Sequence, residues 1–463
     1  MRRIIMKRTM TRATVAFLVA AMAACGITGC GKGESIEDSK TEAGSKAESN
    51  VSDEKVVLNW YTWEANVQDE LRTMAEEYSK LNPRVTVQVE VMGDANSTSY
   101  LEKLDVMTMG GEEMDIVMQP SFATHSARAA SDALLALDDF MKEEGVTMGE
   151  EYVIDTPVNG SYYALPADLK SWYVLLNKND LDKAGLQVPG FDWTWEDYQK
   201  YAKELTHGEG ADIHYGSFMQ ASNDRYCYLP MWAEKKDDPF FKDENTLNFD
   251  DPLFKEFLEY RYDLENISKC QTPYSDVKAL SMNYRDQFFN GKVSMLAIGS
   301  YTLPDISNQE KYPHDFVTTF APIPKWNETT EGGGTITECH YYGISKNSTH
   351  PQEAYEFLRW LTTEGYQYKP SALSAQKGVD RYETFVSSLS EESKKYYDLD
   401  ALNNLYNSGD WKDNFYTINT TYRSSLESMV KEESEKYLLG QQSIEDTVIN
   451  YQKRAEEIKA DAQ

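Results

Sequence analysis

The chain has 463 residues, 41% of them hydrophobic and 12% aromatic, and its 46 Lys and Arg face 76 Asp and Glu for a formal net charge of -30. That acidity, with no extended Lys/Arg cluster, excludes a nucleic-acid partner, because phosphates are held by such clusters. The length exceeds what one core comfortably covers, so two lobes are expected, and five cysteines are too few for a disulfide-built body.

Residues 1–29 read as a removable signal peptide. Arg2, Arg3, Lys7, Arg8 and Arg12 form a basic region, and Ala13 to Ala24 is an apolar stretch too short to cross a bilayer comfortably. Ile27-Thr28-Gly29-Cys30 resembles a bacterial lipobox, which makes Cys30 the lipidation site and the first mature residue; Cys25 is the competing position. Residues 30–53, built of Gly, Ser, Glu, Asp and Lys with almost nothing to bury, form a disordered linker reaching on the order of 25 Å. No second apolar run approaches the about 18 residues of a span. The lipid on Cys30 is therefore the expected attachment to the extracellular face of the cell membrane.

From residue 54 the pattern is strand and helix in alternation. Val56 to Tyr61 reads as a buried strand with Trp60 in the core, Thr62 to Ala65 as a loop, and Leu71, Met74, Ala75 and Tyr78 as the inner face of a helix that stops at Asn82-Pro83. Val85, Val87, Val89 and Val91 alternate as a second strand, Tyr100 to Met109 is helical up to Gly110-Gly111, and Asp115 to Met118 is a short strand opening at Gln119 to Phe122. This order implies a parallel α/β sheet, in which ligands collect beyond the carboxyl ends of the strands.

Further on, two strands are expected to flank a crossing marked by Pro166, one before Asp168 and one over Trp172 to Asn177. Gly185 ends a short helix, Thr194 caps the next through Asp197, and Asp286 to Tyr301 reads as helix, turn, buried strand and glycine loop. An irregular segment from Phe320 holds Gly332 to Gly334; a strand follows at Tyr341 to Ile344, and a helix carries Ala354, Phe357, Leu358 and Leu361 on one face. Trp172, Trp193 and Trp195 read as packing and capping residues.

Several motifs are excluded. The glycine run lacks the lysine and hydroxyl of a phosphate loop, and Asp180-x-Asp182 lacks calcium ligands at Ala184 and Phe191. The six histidines form no zinc spacing, so no metal and no cofactor are expected. No nucleophile elbow is present. Cys227, Cys270 and Cys339 read as buried thiols, with the pairing of any two left open.

Taken in order, these segments resemble the sugar-binding extracellular solute-binding lipoproteins of ABC importers, the family that includes maltose-binding protein. The marks are the first strand with its tryptophan, Asp115-Ile116-Val117, Gly160 through Pro166 leading to Asn177-Lys178, and Thr194-Trp195. Phe289-Asn290-Gly291-Lys292-Val293, Pro322-Ile323-Pro324 and Glu353-Ala354 with Phe357-Leu358 extend them over about residues 54–460. The resemblance implies an α/β, two-lobe periplasmic-binding-protein-like fold with an interlobe cleft and hinge crossings. Residues 54–164 and 294–342 would form the N-terminal lobe, and residues 165–293 and 343–463 the C-terminal lobe.

It also implies the ligand-binding residues Thr62, Trp63, Glu64, Gln119, Ser121, Asp168, Lys170 and Tyr301, with Tyr228, Trp232, Glu338 and Trp411 placed less directly. Carboxylates, amides and amines suit the hydroxyl edges of a sugar, and aromatics suit its ring faces. Gln119 departs from the maltose-binding pattern, which has an aromatic there. The expected function is non-enzymatic: a monomer that captures a saccharide and delivers it to ABC permease subunits. A surface glycoside hydrolase, or the same fold binding a peptide or other polar solute, is the alternative.

Overall fold

The computed structural model describes residues 54–93, 96–234, 238–369, 372–415, 418 and 420–462. The expected signal peptide, Cys30 and the expected linker to residue 53 lie outside them.

The first strand, β1 (Val56–Thr62), is followed by α1 (Gln68–Leu81), β2 (Val85–Val91), α2 (Ser97–Gly110) and β3 (Ile116–Gln119), with α3 (Phe122–Ala130) after it. β1 pairs in parallel with β2, Trp60 opposite Val89, and with β3, Trp60 opposite Ile116. The alternation of β1 buries Val56, Leu58 and Trp60. Trp60 sits in the core, edge-on to Tyr342 and Phe357 at 5.6 Å each.

The segment expected as two strands about Pro166 is instead one strand of 14 residues, β4 (Ala164–Asn177), buried throughout. After it come α4 (Lys178–Ala184), ended by Gly185 in the left-handed conformation, and α5 (Trp195–Leu205), whose Thr194–Asp197 capping box is formed. β5 (Tyr215–Phe218), β6 (Val293–Gly299) and, after β7 (Thr318–Ala321), β8 (Gly334–Ile344) complete the main sheet path, which runs β2-β1-β3-β8-β4-β6-β5 within ten strands, while β7 pairs antiparallel with β4 off that path. Pro166 is tolerated because the β8–β4 ladder shifts there. Cys339 faces Leu169 but Tyr341 faces Pro166, so β4 uses one residue more than β8 across the shift. A bulge of this kind accepts a residue with no N–H and re-aims its neighbours, here Ala167, Asp168 and His340.

The strand pairing also cuts across the expected lobe boundaries. β6 pairs with Trp172–Leu176 of β4 and in parallel with β5, so 293–299 belongs with the C-terminal half of β4 and not with 54–164. Conversely the helix Pro351–Thr362 packs on β1, α1, β4 and β8 through a buried face that includes Phe357, Leu358 and Leu361, and so returns to the first half. Sequence order misleads here because the long strands β4 and β8 run through both halves of the sheet.

Cys227, Cys270 and Cys339 are free and buried. Burial pushes the Cys227 and Cys270 thiols up to about 11, which leaves them protonated and unreactive. Among the described residues no helix is long and apolar enough to cross a membrane.

Candidate ligand-binding site

Residues 63 and 64 leave β1 at its carboxyl end, beside the bulge in β4. Thr62 is fully buried and works inward: its Oγ1 accepts the Glu64 N–H at 3.2 Å and donates to Met118 Sδ at 3.3 Å. It thereby fixes the backbone that presents Glu64 and does not line the cavity. Trp63 lies edge-on to His340 at 5.1 Å and tilted on Tyr100 at 5.4 Å.

Glu64 enters a buried lattice of charge. Lys369 Nζ is 2.6 Å from Glu64 Oε2 and 2.6 Å from Asp168 Oδ2. Lys170 Nζ is 3.3 Å from the same Asp168 oxygen and 4.0 Å from Glu64 Oε1, and the Tyr366 hydroxyl donates to Asp168 Oδ1 at 2.7 Å. Burial alone would raise the Asp168 carboxyl, but the ammoniums of Lys369 and Lys170 outweigh it and hold it well below the ordinary carboxylate range. The same pairing overcomes burial at Lys369 and drives its pKa well above the usual lysine value.

Glu64, Asp168 and His340 bring ligand atoms within 4.8 Å of one another, a donor set that could suggest a metal. The residues do not fit one. The Lys369 ammonium stands where a cation would bridge the two carboxylates, and Lys170 supplies a second positive charge.

Above this lattice opens a cavity of about 310 Å³. Trp63, Glu64, Asn66, Val67 and Ser97 line it from the β1 side, Lys170, His340 and Lys369 form its floor, and Tyr284, Arg285, Tyr301 and Pro304 close the opposite wall. Tyr301 is held against the end of β6: a Cβ on Gly299 would come within 2.5 Å of the tyrosine ring, so any side chain there would push the ring aside. Arg285 donates to Asp305 at 2.6 Å and lies 4.7 Å over the Tyr284 ring, which fixes that aromatic face. Aromatic faces on two walls over a floor of paired charges suit a polyhydroxylated solute.

Of the residues expected from sequence, Trp63, Glu64, Lys170 and Tyr301 line this cavity, and Asp168 supports its floor. Ser121 caps α3 and borders a separate narrow pocket with Glu338 and Phe415; Glu338 is bound by Arg225. Gln119 is fully buried, and its amide nitrogen and oxygen have no hydrogen-bond partner among the described residues. Tyr228 and Trp232 are buried and stacked on each other at 5.8 Å, and Trp411 packs on Tyr406 while donating to Asp413 at 2.9 Å. Thr62, Gln119, Tyr228, Trp232 and Trp411 thus stand away from the cavity wall.

His340, Lys369, Tyr284 and Arg285 were missed. The period of two along β8 puts His340 on the face of Glu338, a usable signal once that strand is drawn to its full length. Lys369 had none, since it meets Glu64 across 305 positions of chain.

The architecture is shared with solved structures. A sugar transporter from Rhizobium etli in an open conformation superposes with a TM-score of 0.67 at 20% identity, covering 87% of this chain and 99% of that one. An ABC substrate-binding protein of Listeria monocytogenes in complex with cycloalternan gives 0.71 at 18% identity, over 88% and 100%. A maltose-bound MalE3 of T. maritima gives 0.67 at 18%, over 87% and 99%. Among curated relatives, an arabinooligosaccharide-binding protein of Halalkalibacterium halodurans is 21% identical over 215 residues. That match spans 44% of each chain, less than half of the relative's length. Residues 64–368, well over half of the sequence and reaching from Glu64 through the bulge to Tyr368, match the family of the bacterial extracellular solute-binding proteins, and the chain belongs to it.

Proposed function

We propose that this protein is the receptor of an ABC importer: tethered by a lipid on Cys30, it captures a saccharide between the two halves of the sheet and presents the closed form to permease subunits. The observation that carries the reading is the cavity itself. Trp63 stands on one wall and Tyr284 and Tyr301 on the other, and Glu64 with Lys170 offers acceptor and donor groups between them. A solute touching both walls favours closure, because its contacts exist only in the closed state. The named ligands of the similar proteins, arabino-oligosaccharide, cycloalternan and maltose, support the same class. The receptor acts as a monomer, and its energy source lies on other chains.

What favours a receptor over a glycoside hydrolase is the state of the carboxyls. Hydrolysis needs one of a pair held protonated near neutrality. Glu64 and Asp168 instead share the Lys369 ammonium, and Asp168 is driven the opposite way.

Titration calorimetry of the purified protein against neutral arabino-, manno- and malto-oligosaccharides tests the proposal. Heat of binding with the glycan recovered intact is the expected result. A silent panel would sink the saccharide reading, and cleaved products would replace it with the hydrolase.

A further inference from the structure

His340 is the floor residue for which neither the family match nor the charge lattice supplies a role. It sits in the stretch where β4 and β8 shift register, and the bulge turns it and Asp168 toward the same space. Its Nδ1 is buried and has no hydrogen-bond partner among the described residues, lying 4.0 Å from Glu64 Oε1 and 3.9 Å from Asp168 Oδ2. Those separations are too long for hydrogen bonds, yet they decide the tautomer. A lone pair on Nδ1 would face two carboxylates, whereas a proton there is attracted by both. The ring is wedged edge-on against Trp63, and its side chain keeps 13% exposure while Nδ1 keeps none. What remains open to the cavity is the edge carrying Nε2.

We propose that His340 is a specificity-determining residue: held with its proton on Nδ1, it presents Nε2 to the cavity as a bare acceptor for one hydroxyl of the ligand. The inference rests on the saccharide reading and deepens it. Lys170, with three N–H groups and one hydrogen bond, to Asp168, among the described residues, supplies donors beside that acceptor. A hydroxyl-bearing ring meets both needs, and the matching deoxy sugar leaves Nε2 buried and unpaired. Burial, together with the nearby ammonium of Lys170, keeps His340 neutral by lowering its pKa well below the usual imidazole value, with Lys369 adding to the effect and Asp168 opposing it.

Two measurements decide it. Nitrogen-15 correlation spectra of the histidine rings, with the His340 signals assigned from the His340→Phe variant, are expected to show a neutral Nδ1–H imidazole at pH 7. An Nε2–H tautomer or an imidazolium overturns the inference whatever the ligand. With the arabino-, manno- or malto-oligosaccharide bound by the unmodified protein, His340→Phe is expected to weaken binding about tenfold or more. His340→Gln, whose amide oxygen replaces Nε2, recovers part of the loss, with thermal midpoints showing that both variants are folded. Equal affinity in all three overturns the inference and leaves the saccharide reading standing. A panel that is silent with the unmodified protein defeats that reading instead, and the tautomer spectrum still decides the role of His340.

Discussion

The Lys369 ammonium lies 2.6 Å from Glu64 Oε2, although 305 residues separate the two in sequence. Because the same ammonium also holds Asp168 at 2.6 Å, one buried positive charge fixes the end of β1 to the bulge of β4. This contact joins the cavity-lining loop after β1 to the core of the sheet.

Removing that ammonium leaves two carboxylates buried side by side. Lys369→Met should therefore lower unfolding stability by about 3 kcal/mol or more, the scale for stranding a buried charge. Adding Asp168→Asn should restore part of it. Urea denaturation of the single and double variants checks both statements, and a loss under about 1 kcal/mol would mean that the lattice is far more solvated than its burial implies.

Trp63, just after β1, and Tyr301, just after β6, both line the cavity, so each truncation should weaken saccharide binding. Trp63→Ala and Tyr301→Ala should each cost about 1 kcal/mol or more, roughly fivefold in affinity. Trp63 also packs on Tyr100, and Trp63→Phe separates the two roles by keeping an aromatic ring in place. Calorimetry with the bound glycan gives the affinities. Unchanged affinity in both alanine variants would place the ligand elsewhere.

Thr62 turns its hydroxyl inward and braces the backbone of Glu64. Thr62→Val removes the acceptor of the Glu64 N–H and should reduce stability by about 1 kcal/mol, measured by thermal or urea unfolding. Its effect on affinity should be smaller than that of Glu64→Gln, since it touches the site only through the backbone. A larger effect would return Thr62 to the ligand.

His125 gives the protein an acid-sensitive contribution that arises from burial and not from the charge lattice. Burial lowers its pKa to about 4, from about 6.5 in the unfolded chain. Its stabilising contribution is complete above pH 6.5, where both states are neutral. It is lost as pH falls from 6.5 toward 4, because the unfolded state takes the proton first. Between pH 7.5 and 5 the loss from this group should be about 2 kcal/mol. His125→Phe, which keeps an aromatic ring against Tyr341, should flatten the stability–pH profile by that amount in denaturation series at the two pH values. An unchanged slope would contradict the buried neutral state.

What the sequence by itself determined was whatever depends on near neighbours in the chain. The periodicity of Val85 to Val91, the Gly111 and Gly185 helix stops, the Thr194–Asp197 capping box and the core position of Trp60 were all legible because each is set within a few residues. So was the position beyond the end of β1, which placed Trp63 and Glu64. The continuity of β4 through Pro166 was not legible, since the bulge that accommodates the proline depends on pairing with β8. The floor of the cavity was not legible either. Lys369 and His340 join Glu64 and Asp168 only after four distant segments are packed together, and a lysine is driven to a charged, buried state only when two carboxylates meet it there. Tertiary structure decided which polar residues line the cavity and which became braces, because that choice turns on burial and on the partner at hydrogen-bonding distance.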